Sequence, residues 1–149
     1  MARNQAFLFK EFVKDYGDGV HGDLSAATIK VVIINNTTPP TADDVAPRYS
    51  SYSANEVSSA GNYVTGGVAL TGVTTSYADG VFKFDDTGNI SWALDAGGFE
   101  DGYWAIVIND TAAADQAIFA VDLGGPVSER TGPFSITWNA NGMMIHSVV

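Results

Sequence analysis

The sequence predicts an all-β protein, a β-sandwich or related barrel with a short N-terminal arm or helix, and three observations predict it. Apolar residues make up 46% of the chain while charged residues make up only 16%. Sixteen glycines, with many Thr, Ser, Asn and Asp, break the apolar runs at short intervals, which suits short strands joined by tight turns. The runs themselves are rich in β-branched residues, and several alternate apolar with polar at the period of a half-buried strand. The 149 residues suit one domain, with residues 1–23 as an N-terminal arm and turn and 24–149 as the sandwich body.

Residues 6–16 carry Phe9, Phe12, Val13 and Tyr16 along one stripe at helical spacing. They read as a helix ended by Gly17-Asp18-Gly19, or equally as an extended arm, since isolated helices this short are marginal without packing. The clearest strand is Thr28–Ile34, β-branched at six of seven positions and stopped by Asn35-Asn36. The prolines at 39, 40 and 47 cannot donate to a ladder and mark a loop. Within it, a helical turn is expected after Thr41, whose hydroxyl would cap amides near Asp43 and Asp44.

Strand-like residues recur across 57–76, with Gly66-Gly67 marking a bulge, bend or hairpin turn. Val81–Phe84 alternates, and Ile90–Leu94 follows the turn Asp85–Asn89. Tyr103–Ile108 is continuously apolar, as a central strand buried on both faces should be. Ala117–Leu123 is expected to stop at Gly124-Gly125-Pro126. Phe134–Trp138 and Met144–Val149 then form a hairpin about Asn139–Gly142.

Candidate chemistry is sparse. The two histidines, His21 and His146, stand in a turn and in the terminal strand, and no Ser lies in a Gly-x-Ser-x-Gly elbow. The acid pairs Asp43-Asp44, Asp85-Asp86 and Glu100-Asp101 are neighbours in turns, which is the pattern of a solvated surface and not of a paired-carboxylate site. The Asp15–Asp23 stretch holds three carboxylates and an imidazole but misses calcium-loop spacing. Neither Gly66-Gly67 nor Gly97-Gly98 continues into a phosphate-binding ending. No catalytic residue, cofactor or metal is expected. The aromatics Trp92, Trp104, Trp138, Phe82, Phe84 and Phe119 lie in strands and read as core packing, the alternative being a sugar-stacking platform, for which the Tyr49-Ser50-Ser51-Tyr52 loop is the best candidate.

Cysteine is absent, no apolar run approaches the roughly 18–20 residues of a membrane helix, and the polar start does not read as a signal peptide. Net charge is −10, unevenly spread. Residues 1–48 hold five cations against six acids, whereas 49–149 hold only Lys83 and Arg130 against eleven acids. So acidic a body repels phosphate backbones and anionic membranes, so neither nucleic acid nor membrane is expected as a partner. The imbalance reads as a surface charged for solubility or, more sharply, as a balanced N-terminal part that faces a partner while the acidic part faces solvent.

Three stretches carry a resemblance. Phe7–Asp15 with the Gly19-Val20-His21 turn and Leu24–Ile34, the run Ser59–Thr71, and Ile106–Thr111 are similar to small structural proteins of tailed bacteriophages, most like head decoration (cement) proteins. The match touches most of the chain, loosely after residue 75, and its motifs are motifs of fold. The resemblance implies an immunoglobulin-like or jelly-roll-like knob, commonly a homotrimer, on the outer surface of a capsid. It implies the major capsid protein as partner and a non-enzymatic role in stabilising the head, the virion protein being made in the host cytoplasm. A tail, baseplate or fibre component touching host-surface glycans is the alternative. The candidate contact is Arg3, Phe7, Phe9, Lys10, Phe12, Val13 and Lys14, where apolar anchors stand beside positive charge. The competing reading of Phe7, Phe9 and Phe12 is that they cover the bottom of the sandwich of their own chain.

Overall fold

A computed structural model describes residues 5–58 and 61–147. Its elements in chain order are β1 (Ala6–Leu8), α1 (Lys10–Gly17), β2 (Ile29–Ile34), α2 (Tyr49–Tyr52), a single 3-10 turn (Ser53–Asn55), β3 (Val68–Ala69), β4 (Val73–Ala78) and β5 (Val81–Asp86). After these come β6 (Ile90–Trp92), β7 (Gly102–Asn109), β8 (Gln116–Val127), β9 (Phe134–Ile136) and β10 (Met144–Ser147). The protein is all-β and sandwich-like.

The largest sheet has the order β1-β8-β7-β2-β3, with every pairing antiparallel. Its centre is the pair of apolar runs noted in the sequence. Six consecutive residues of β2 pair with six of β7, from Ile29 opposite Asn109 to Ile34 opposite Trp104. Both faces of these strands are buried, so neither needs to alternate. One face is reached by Phe119, which meets Trp138 edge-on at 6.2 Å. Phe7 lies on the opposite face, since it neighbours Leu8, the residue paired with Phe119. There it packs against Trp104 at 6.2 Å and against Phe9, which stacks on Tyr52 of α2 at 6.0 Å. Two smaller antiparallel sheets, β10-β5-β4 and β6-β9, bring Phe84, Ile90, Trp92 and Ile136 into the same core. The tight approach at Gly67 fixes where β3 joins β2: with φ at +82°, a Cβ there would sit 2.5 Å from the Val31 carbonyl oxygen.

Several expectations are corrected. Residues 6–16 are not one helix. Ala6–Leu8 is a strand on β8, and the helix starts only at Lys10. Pairing with β8 outweighs the helical stripe because the sheet edge satisfies backbone groups that an isolated turn would leave bare. The arm is therefore built into the main sheet. The long strand β8 does not stop at Gly124-Gly125-Pro126 but runs on to Val127, opposite Gly102, across an irregularity in register. Pro126 is tolerated because β1 covers only Phe119–Val121, leaving the later part of β8 an open edge. Strands β9 and β10 do not form a hairpin: β9 pairs with β6, and β10 with β5. At Thr41 the capping runs in reverse, the Asp44 carboxylate accepting from the Thr41 hydroxyl at 2.6 Å and from its N–H at 3.2 Å.

Candidate docking groove

Helix α1 follows β1 directly. Phe9 keeps an extended backbone (ψ 132°) and has no side-chain cap, but its N–H donates to the Ile118 carbonyl at 3.2 Å, and the Lys10 N–H donates to the Ala42 carbonyl at 3.0 Å. Tertiary hydrogen bonds thus take the place of a capping residue at this end. Glu11 in the first turn and Lys14 in the last complement the helix dipole. The far end is closed by Asp18 and Gly19 N–H groups donating to the Lys14 and Tyr16 carbonyls.

This anchoring sorts the N-terminal aromatics. Phe9 is fully buried and Phe12 is 4% exposed, both in the chain's own core. Phe12 packs on His21 at 4.8 Å and on Tyr16 at 5.7 Å, the latter one helical turn on. Tyr16 reaches across to Phe82 of β5 at 6.0 Å. Between α1 and the β5–β10 edge an apolar groove of about 310 Å³ stays open, floored by Leu8 and Phe12 and walled by Met144, Ile145 and His146. Val13 and Ile145 stand on its rims, 64% and 50% exposed. A second hollow of about 130 Å³ continues it past Leu8 and Met144 toward Ala6, Phe7, Phe119 and Met143. The two form one seam along the boundary between the main sheet and the three-stranded sheet.

The seven predicted contact residues separate accordingly. Phe7, Phe12 and Val13 line the seam. Phe9 does not: it is enclosed by Phe7 and Tyr52, and the own-core reading holds for it. Lys10 forms an exposed ion pair with Asp43, and Lys14 holds Asp18 at 3.0 Å with Asp15 at 3.8 Å. Both lysine side chains stay largely exposed, 72% and 65%, and exposed pairs of this kind hold weakly. Arg3 lies outside the described residues. Sequence reasoning missed Leu8, Tyr16, Phe82, Met144, Ile145 and His146 as lining residues, and the last three are set beside Phe82 by the pairing of β10 with β5.

His21 sits beneath the groove, 3% exposed. Its carbonyl accepts from the Asn109 amide at 2.9 Å, and the same amide group lies 3.4 Å from its Nδ1. Its Nε2 has no hydrogen-bond partner. Burial holds the imidazole below its ordinary value of 6.5, and nearby Asp15 only partly opposes this.

Other candidates resolve into structure. Tyr52 is buried, with its hydroxyl on Asp44 at 2.8 Å, and Tyr49 donates to Glu56 at 2.7 Å. Burial and that Glu56 bond push the Tyr49 phenol up to about 12. The Tyr49–Tyr52 segment therefore offers no open pair of rings for a sugar. The reading of Asp85-Asp86 as a solvated turn is corrected: both end β5, Asp86 is buried, accepting from the Gly72 N–H and from the Trp138 indole, and Asp85 pairs with Lys83 at 2.8 Å. Glu129, also buried, accepts the Asn62 N–H at 3.0 Å. Among the described residues no three His, Asp or Glu side chains are grouped to hold a metal. What the described surface offers is an apolar seam. No family model, curated protein or solved structure matches the chain.

Proposed function

We propose that this chain is a virion structural protein of a tailed bacteriophage: a capsid decoration protein, acting as a homotrimer, that binds the assembled head and bridges major capsid protein subunits. The observation that carries this reading is the open apolar seam between α1 and β10. Leu8, Phe12, Val13 and Tyr16 of the near-neutral N-terminal third form one wall of it and Phe82, Met144, Ile145 and His146 the other, while Phe7 lines its continuation. Exposed apolar surface of this kind, rimmed by polar groups, is characteristic of an interaction site. The acidic remainder keeps the outer face soluble. Three-fold positions on a symmetric shell favour a trimeric ligand.

The mechanism is mass action without chemistry. A protein that binds only the assembled shell stabilises it by an amount set by its concentration over its dissociation constant. The rim residues Val13 and Ile145 then serve as anchors, and the acidic body limits non-specific attachment to packaged nucleic acid.

The test is co-sedimentation of the purified chain with empty heads, read beside the thermal stability of those heads. Saturable binding and a higher melting temperature are expected, with both reduced by Val13→Asp plus Ile145→Asp. Heads that neither bind nor gain stability would overturn the proposal. Cryo-microscopy locating the chain on the tail would replace it with the tail or fibre reading.

A further inference from the structure

Helix α1 is fastened unequally at its two ends. At its start, the Phe9 and Lys10 N–H groups donate to the Ile118 and Ala42 carbonyls, so backbone ties join it to the body. Beyond Phe12, the backbone hydrogen bonds of residues 13–22 close within that segment. Among the described residues, only Asn109 of β7 reaches the segment from the rest of the fold by hydrogen bonds, and it does so at His21. Ring contacts of His21 with Phe12 and of Tyr16 with Phe82 complete the attachment.

That junction accommodates one protonation state. Asn109 is fully buried, and its Oδ1 accepts from the Thr111 N–H at 3.0 Å and the Ala112 N–H at 3.2 Å. Two fixed donors orient the amide, so its NH2 group faces His21, donating to the carbonyl at 2.9 Å and lying 3.4 Å from Nδ1. A donor there requires a lone pair on Nδ1, which places the proton of the neutral ring on Nε2. Nε2 has no hydrogen-bond partner. A charged imidazolium would aim one N–H at a donor and the other at nothing, in a site only 3% exposed. The surrounding charges offer little relief. Asp15 of α1 acts on the ring, but it shares Lys14 at 3.8 Å. Asp18 is also taken up by Lys14, and Asp110, next to Asn109, by Lys30 at 2.8 Å. His146 stands on the β10 wall of the groove.

We infer that His21 is an acid-operated latch: a proton from solvent on Nδ1 breaks the junction with Asn109 and frees the second half of α1, with the turn to Gly22, while the five-stranded sheet stays folded. Gly19 and Gly22 give that turn its freedom, with φ at +75° and +57° and open space where a Cβ would stand. On release Tyr16 leaves Phe82, and the seam loses its helical wall. The direction is fixed by burial, which favours the neutral ring in the closed form. The latch is therefore shut above the ordinary imidazole value and opens as pH falls below it. It goes beyond the docking proposal and does not depend on what the seam binds.

The intact chain is followed by NMR from about pH 7.5 to about pH 5. Ring carbon shifts read the protonation of His21, and relaxation dispersion at backbone amides reads the population of an open form. Expected is an open form confined to Lys14–Gly22, its fraction rising about tenfold for each pH unit below about 6.5. The amides of Ile33 and Ile106, fully buried in the main sheet, should show no matching exchange. His21→Gln keeps an amide to meet Asn109, His21→Phe keeps a ring against Phe12, and each should abolish the pH dependence. A ring that protonates while Lys14–Gly22 stays in place would overturn the inference. So would equal open populations at Ile33 and Ile106, which would make the opening global, or a complete absence of exchange. Acid opening that survives in either variant would equally overturn it, and the parent spectra decide the matter where a variant does not fold.

Discussion

The centre of the main sheet and the seam at its edge are built from the same kinds of residue. Val31–Ile34, Ala105–Ile108 and Ile118–Ala120 are almost entirely withdrawn from water, each strand there having neighbours on both sides and packed layers on both faces. Leu8, Val13, Tyr16, Met144 and Ile145 are as apolar, yet they line a groove that nothing among the described residues fills. Apolar character therefore does not by itself distinguish core from contact surface. The distinction comes from position in the sheet: a central strand is enclosed by its own chain, whereas an edge strand has one side left over.

The sharpest way to break this comparison is to truncate one isoleucine in each region. Ile106→Ala, at a fully buried site in β7, is expected to cost about 2–5 kcal/mol through lost transfer energy and an unfilled cavity. Ile145→Ala, half exposed on β10, should stay within about 0.5 kcal/mol of the parent. Urea unfolding of the two variants checks both. Equal losses would mean that the groove is closed in solution and part of the core.

A smaller effect separates backbone fit from side-chain packing. Gly67→Ala places a methyl group against the Val31 carbonyl in a left-handed backbone region and should cost more than about 1 kcal/mol. An unchanged denaturation midpoint would show that β3 is not held where the structure places it.

The most modest effect concerns His21, which ties the groove floor to the core. Its native pKa is lowered by burial, so an unfolded chain gains a proton near pH 6.5 before the native one does. Its contribution to stability is full above that pH. It then falls as pH drops toward the native value and levels off below it. Midpoints measured from about pH 7.5 down to about pH 5.5 should decline, and His21→Gln should flatten part of the decline. Parallel curves for parent and variant would show that the imidazole is accessible to protons in the folded state.

Legibility in the sequence follows the same division between centre and edge. β2 and β7 were readable because two-sided burial demands an unbroken apolar run, and their boundaries shift by only a residue. The N-terminal stripe was misleading at Ala6–Leu8, where three residues carry too little periodicity to separate a helix from an edge strand. Helical spacing grouped Phe9, Phe12 and Val13 alike, but Phe9 and Phe12 are buried in the core and Val13 is exposed. The opposite wall of the groove could not be found that way. Met144–His146 adjoin Phe12 only through the β10–β5 pairing, and local spacing says nothing about partners more than a hundred residues away.

By itself, the sequence determined the central strands, that the body is acidic, and that charge is close to balance in the first third. These are local or summed properties, set by side-chain period and composition. The tertiary structure alone decided which strands pair, which aromatics are enclosed, and where two unpaired edges meet. Those outcomes depend on long-range hydrogen-bond registry and on the packing of one layer against another, and neither is written in the order of neighbouring residues.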